Sequence, residues 1–430
     1  MTTNTEIQPF TIEIPQTEVD DLRARLRSAR WPVTPAVDDW SRGVPVGYLR
    51  ELAAYWADDY DWRAAEAALN AIPQFTTEIA GQRIHFFHQK SAEPNALPLI
   101  LTHGWPGSPV EFQAMIGRLT DPVAYGGNAA DAFDVVVPSL PGYGFSTPLG
   151  PAGFNLFGVA QMWAELMSRL GYDRYAAHGT DAGSGVTGML TMIDAAHVVG
   201  AHLAGVIAAA PFGGPVSTEG LSESDQTRAE AFNRYLEDGL GYLTLQSTRP
   251  QTLAYGLNDS PIGQLAWIVE KFAEWTDPAH KLPEEAVDRD QLLTNVSLYW
   301  FTGSGASSAH AVYDGMQAWK AMLAQQSGGD WGSDESADAS SSWSSDDASA
   351  ASDDSSGDWG SDGAGAAWGT VTPPPTGVAV FGAETAIKSL VDPAGAMTHW
   401  TEYERGGHFA AMEVPDLLAT DLQNFFRRLR

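Results

Sequence analysis

The sequence predicts an α/β fold: a mainly parallel sheet, interrupted by a block of helices and preceded by a helical arm. Three observations predict it. Residues 97–105, LPLILTHGW, open with a continuous apolar run, the mark of a strand buried on both faces. From there to Pro211, strand-like and helix-like segments alternate: FDVVVPSLPGYG, FGVAQMWAELMSRLG, RYAAHG, SGVTGMLTMIDAAH, AHLAGVIAAAP. The alternation then stops for a long helical stretch and resumes after residue 370 with TGVAVFGAE and THWTEYERGG.

Residues 1–95 read as an amino-terminal arm. TEVDDLRARLRSARWP places Asp20 three residues after Thr17, a weak capping-box pattern, and Pro32 stops the run. VGYLRELAAYWADDYDWRAAEAALNAIP gives two more helices ended by Pro73, and FTTEIA and QRIHFFHQ give two strands joined at Gly81. Residues 96–211 form the first part of the sheet core. Residues 212–326, including PIGQLAWIVEKFAEW and QLLTNVSLYWF, form a helical cap over it. Residues 370–430 complete the core and close with the helical VPDLLATDLQNFFRRLR. Residues 327–369 are Ser, Asp, Gly and Ala with scattered Trp. Such a composition buries too little apolar area to offset its ordering entropy, so a disordered acidic loop is expected.

The formal net charge of −30 argues against nucleic acid or an anionic membrane as partner. Ten of the acids lie within residues 328–363. Without cysteine there are no disulfides or thiolate metal sites. The start, MTTNTEIQPF, has no basic or apolar leader, and no run of 18 apolar residues follows. A cytoplasmic protein is expected.

The motif GTDAG, residues 179–183, has the form small–x–nucleophile–x–small, in which a tight strand-to-helix turn lifts one side chain out of an α/β-hydrolase sheet. On the pentapeptide alone, Asp181 is equally well a nucleophile or the N-cap of the following helix. Ser184 lies too far past the tip to be the nucleophile. HGWPGS, residues 103–108, follows a buried strand; its backbone N–H groups, with that of Ala182, suit an oxyanion hole. ERGGHFAAMEVPDLL places His408 on a glycine-flanked loop after the last strand, where this fold keeps its base. Glu384, which ends GVAVFGAE three residues past Phe381, fits the acid that holds the imidazole, with Asp392 as alternative. A carboxylate nucleophile attacks an sp³ carbon and forms an ester, which the histidine then hydrolyses through water. Epoxides and alkyl halides are the natural substrates, and an epoxide further needs a proton donor facing the nucleophile.

At this point the sequence resembles the microsomal-type epoxide hydrolases over almost its whole length. The resemblance is carried by FTIEIPQTEVDDLRARLRSARWP, YDWRAAEAALNAIPQFTTEIAGQRIHFFH, HGWPGSPVEF, FDVVVPSLPGYGFS, LNDSPIGQLAWIVEKFAEWTDP, LLTNVSLYWFTGS and ERGGHFAAMEVPDLL. It implies an arm wrapped round an α/β-hydrolase core with a helical cap. It implies hydration of small-molecule epoxides to vicinal diols with water and no cofactor or metal. By position it implies Asp181 as nucleophile, Glu384 and His408 as the charge pair, and the Trp105 backbone in the oxyanion hole. The chain departs from the family pattern in four places. The elbow has Thr180 and Ala182 where the family has Gly and Trp. The cap tyrosines are expected at Trp267 and at Val312. Tyr313 is one residue, about 100° of helix, from the second position, and His310 is a further polar candidate. These substitutions leave dehalogenation, or a binding role without chemistry, as alternatives on the same fold.

Overall fold

The computed structural model describes residues 6–211, 213–327 and 372–430. The acidic stretch expected to be disordered lies, but for its first residue, outside the described residues. Nine strands form one sheet: β1 (Gln8–Phe10), β2 (Gln74–Ile79), β3 (Gln82–Gln89), β4 (Leu97–Thr102), β5 (Phe133–Pro138), β6 (Tyr175–Thr180), β7 (Val198–Ala204), β8 (Thr376–Val380) and β9 (His399–Glu402), in the order β1-β2-β3-β5-β4-β6-β7-β8-β9. The arm supplies the antiparallel edge β1-β2-β3, and β5-β4-β6-β7-β8-β9 is parallel throughout. The central strands carry helices on both faces, which is why β6 is buried at every position and, His178 apart, is built of small or apolar residues.

The arm helices are Gln16–Arg27, Val46–Asp58 and Trp62–Asn70. The first does not use the expected Thr17 capping box. It starts at Gln16, behind Pro15, with no side-chain cap, because the proline ring carries no acceptor; the Glu18 N–H goes to the Pro15 carbonyl instead. Asp61 caps the third, accepting from the Arg63 and Ala64 N–H groups. Between β7 and β8, in the stretch expected to form the cap, the chain runs through the helices Glu223–Arg234, Gly241–Gln246, Pro250–Asp259, Pro261–Trp275, Pro283–Ala286, Arg289–Thr302 and Ser304–Ser327. A π-helical turn, Tyr235–Gly239, follows the first of them. No helix among the described residues is long and apolar enough to cross a membrane.

The carboxyl-terminal helix Pro415–Phe426 is tied to the sheet by a buried polar knot. Asp421 accepts from His202 Nε2 at 2.8 Å, His399 Nε2 at 3.0 Å and the Tyr403 hydroxyl at 2.9 Å. Burial alone would raise the Asp421 carboxyl. The hydrogen bonds from the two histidines instead hold it well below the ordinary carboxylate range. With its acceptor capacity filled, Asp421 locks β7, β9 and the last helix together.

Candidate active site

The turn from β6 into the helix Ala182–Ile193 forces Asp181 to φ 54°, one of two non-glycine residues with positive φ among those described. A bulky residue held there is uncommon and costs about 1–2 kcal/mol. The flanking glycines are required by contact. A Cβ on Gly179 would lie 2.0 Å from the Gly183 carbonyl oxygen, and one on Gly183 would lie 2.1 Å from that of Thr102. Asp181 does not cap its helix: no first-turn N–H bonds to its side chain. Its Oδ1 instead accepts the Trp105 N–H at 3.0 Å. The Ser184 hydroxyl is committed to the Asp181 carbonyl at 2.6 Å.

The HGWPGS loop is braced from the cap. Asn295 Nδ2 donates to the Pro106 carbonyl and the Tyr299 hydroxyl to that of Gly107, each at 2.8 Å. His103 Nε2 accepts the Leu140 N–H, and burial holds the ring neutral, with its pKa lowered to about 4. Gly104 lets the loop approach, since a Cβ there would lie 2.1 Å from Asp181 Oδ1. The buried Glu111 carboxyl is pushed well up, first by desolvation and then by the charges of Asp181 and Glu413.

His408 stands opposite, with Nε2 3.5 Å from Asp181 Oδ2. Its loop is pinned by the His408 N–H to the Trp275 carbonyl at 2.8 Å. Glu413 accepts from Phe409 N–H at 3.1 Å and Asp277 N–H at 2.8 Å. Burial lowers the His408 pKa from its ordinary value, and the Asp181 carboxylate partly opposes it. Glu384 is buried behind Gly205, accepting the Gly205 N–H at 2.5 Å and the Phe381 N–H at 2.8 Å. No hydrogen bond or ion pair joins Glu384 to the His408 ring among the described residues. Gly205 stands between them, and a Cβ on it would lie 3.5 Å from His408 Cε1. Burial pushes the Glu384 carboxyl up to about 8 against the pull of the two N–H donors. The alternative acid, Asp392, spends its carboxylate on the Ala396 and Met397 N–H groups.

The proton-donor positions differ most from expectation. Trp267 faces Gln246, to which its Nε1 donates at 3.3 Å, and so braces the short helix Gly241–Gln246. Val312 is half-buried on the helix Ser304–Ser327. Tyr313 makes no hydrogen bond or ring contact with the residues round Asp181. His310 meets Gln251 at 3.0 Å and lines an open cavity of about 630 Å³ with Ser307 and Asp314. That cavity includes neither Asp181 nor His408. Sequence reasoning missed Tyr242, which packs on Trp105, the residue whose N–H holds Asp181. The Tyr242 ring stacks on Trp105 at 4.8 Å and 9°, and its hydroxyl lies 3.2 Å from that of Tyr235. Burial, then Tyr235 and the Asp181 charge, raise the Tyr242 phenol well above its ordinary value. The signal available was a tyrosine between Gly241 and a short amphipathic turn in the cap, in YLEDGLGYLTLQ.

With this geometry in place the comparisons decide the family. Residues 7–112 match the epoxide hydrolase N terminus, and residues 98–262 match the alpha/beta hydrolase fold. An inferred epoxide hydrolase of Stigmatella aurantiaca is 42% identical over 99% of this chain and 86% of its own length. The chain belongs to the epoxide hydrolase family. Epoxide hydrolase 1 of Sus scrofa is 32% identical over 97% of this chain and 88% of its own. Among solved structures, the Aspergillus niger epoxide hydrolase superposes with a TM-score of 0.76 at 29% identity, covering 100% of this chain and 98% of that one. The juvenile hormone epoxide hydrolase of Bombyx mori gives 0.79 at 27% identity, covering 99% and 96%. The amino-terminal match of this epoxide hydrolase runs on through β4 and the HGWPGS loop, and the GTDAG turn lies within the hydrolase-fold match.

Proposed function

We propose that this epoxide hydrolase works through a covalent ester on Asp181. The observation that carries the reading is the division of the Asp181 carboxylate. Oδ1 is held by the Trp105 N–H, while Oδ2 accepts no hydrogen bond from the described residues and faces His408. Oδ2 attacks a ring carbon of the epoxide. The carbon–oxygen bond breaks, its electron pair goes to the ring oxygen, and the Tyr242 hydroxyl protonates that oxygen. His408 Nε2 next takes a proton from water, whose oxygen adds to the ester carbonyl carbon. The negative charge then develops on Oδ1, where the Trp105 N–H already points and the first N–H of the following helix, at Ala182, is within the same turn. Glu384 lies across Gly205 from the His408 ring, and the imidazolium favours its ionised form against the burial that raises it to about 8. On collapse the His408 proton passes to the departing Oδ2, which frees the diol; the water oxygen stays in Asp181, whose second water proton is lost to solvent as solvent restores the phenol. Tyr242 replaces Tyr313 as the donor because it is the phenol that stacks over the oxyanion loop. The haloalkane alternative loses one indole donor, since Trp267 Nε1 is committed to Gln246.

A single turnover of an aryl epoxide in heavy-oxygen water tests the reading. The first diol carries no label, and label then appears in the peptide containing Asp181. Label in the first diol at full stoichiometry means direct attack by water and ends the ester reading.

A further inference from the structure

The cap holds a second phenol that the reaction above does not use. Tyr235 sits at the start of the π-helical turn Tyr235–Gly239, and its hydroxyl lies 3.2 Å from that of Tyr242. Seven residues of regular α-helix would separate the two by about 10 Å along the axis. The wider π turn, followed by the break at Leu240, brings them together. The arrangement depends on Gly239, where a Cβ would lie 2.6 Å from Tyr235 Cδ2. π turns of this kind are frequent at functional sites. The charge of Asp181 reaches both phenols. Meanwhile Val312 leaves the second expected cap position without a hydroxyl.

We propose that Tyr235 is the positioning and relay residue for the proton that Tyr242 delivers to the opening epoxide, resting on the ester reading above. As the ring oxygen takes the Tyr242 proton, the Tyr235 proton moves to Tyr242, and the negative charge comes to rest on Tyr235. Solvent returns the proton to Tyr235 before the next cycle. Two features favour this direction. Burial raises both phenols, yet their shared hydrogen bond lowers Tyr235, which stands at about 12, and raises Tyr242. Charge left on the pair therefore settles on Tyr235. In addition, the Asp181 charge that discourages ionisation of both phenols in the resting site disappears as the ester forms. The protons are held until attack begins and released as it proceeds. Lys271, with Nζ 4.9 Å over the Tyr242 ring, is itself paired with Glu270 and Glu274 and adds no free proton.

The test resolves the two chemical steps by single-turnover Trp fluorescence, with an alkyl epoxide as substrate. Tyr235→Phe keeps the ring and removes the hydroxyl. It is expected to slow ester formation about tenfold and leave ester hydrolysis within twofold. In a Tyr242→Phe background the same change is expected to cost less than twofold, because the relay is already cut. The proton inventory of ester formation, curved in the parent, becomes linear in Tyr235→Phe. Gly239→Ala, which displaces the Tyr235 ring, reproduces the selective loss. Equal slowing of both steps, multiplicative losses in the double variant, or ester formation unchanged in Tyr235→Phe each overturn the relay while the ester reading stands. A parent that hydrates the epoxide without labelling Asp181 overturns both.

Discussion

Gly205→Ala tests the geometry most directly, because this residue adjoins Asp181, His408 and Glu384 at once. Its φ of +64° costs a non-glycine residue about 1–2 kcal/mol. The added Cβ would lie 2.6 Å from Thr180 Oγ1 and 2.8 Å from the Asp181 backbone nitrogen. The second contact is with backbone, so the elbow must move by about half an ångström to restore van der Waals distance, a strain comparable to overpacking a core at about 1–3 kcal/mol. The sum is about 2–5 kcal/mol of stability, read by urea denaturation. Because a misplacement of 1 Å costs about 100-fold in rate, the same shift lowers kcat/KM about tenfold. Gly171→Ala is the control: its φ of +82° is equally unfavourable, but nothing lies within 4 Å of the added carbon. It is expected to lose about 1–2 kcal/mol and no activity. If Gly205→Ala keeps kcat/KM within twofold, or matches Gly171→Ala in both measurements, the placement of Gly205 between the three groups is refuted.

Two further predictions concern charge. Burial lowers His408 below its ordinary 6.5 and the Asp181 carboxylate pushes back, but in the ester that carboxylate is gone. A base must be neutral to act, so the acid limb of ester hydrolysis is expected below pH 6.5; stopped-flow rates that fall off above that value contradict the assignment. The Asp421 knot contributes stability that is present above the unfolded carboxyl value, near 4, and is lost as pH falls below it. Asp421→Ala is expected to cost about 3 kcal/mol, because the buried His202 and the half-buried His399 and Tyr403 lose their acceptor, and to flatten this acid dependence; a loss under 1 kcal/mol would make the knot unimportant.

Much of this site was legible because it depends on local letters. Gly179 and Gly183 are there because two carbonyls approach within contact of where a Cβ would be, and that requirement shows in the sequence as small residues flanking an acid. His408 was legible for a similar reason: a Cβ on Gly407 would lie 2.4 Å from the Trp275 carbonyl oxygen. Tyr242 was not legible, because its place depends on a π turn and on a ring it stacks against 137 positions away in the chain. Matching the cap letter by letter led to Trp267, whose structural part is to support the helix that bears Tyr242. The relation of Glu384 to His408 was equally out of reach, since the residue between them, Gly205, comes from the end of β7 and belongs to neither motif.

The arm acquires a role from the same contacts. Trp56 Nε1 donates to Ser297 Oγ, and the Tyr60 hydroxyl meets Thr294 Oγ1, both at 2.9 Å. Ser297 and Thr294 lie on the helix Arg289–Thr302, the helix that sends Asn295 and Tyr299 to the carbonyls of Pro106 and Gly107. That helix is buried from Leu292 to Tyr299 without a break, so it has no solvent face and its position is fixed by what packs on each side. On one side is the arm and on the other is the loop whose Trp105 N–H holds Asp181. The arm therefore does more than cover the antiparallel edge of the sheet. Through one buried helix it sets where the Trp105 N–H sits, and it ties the sheet and the helices between β7 and β8 into one support for Asp181.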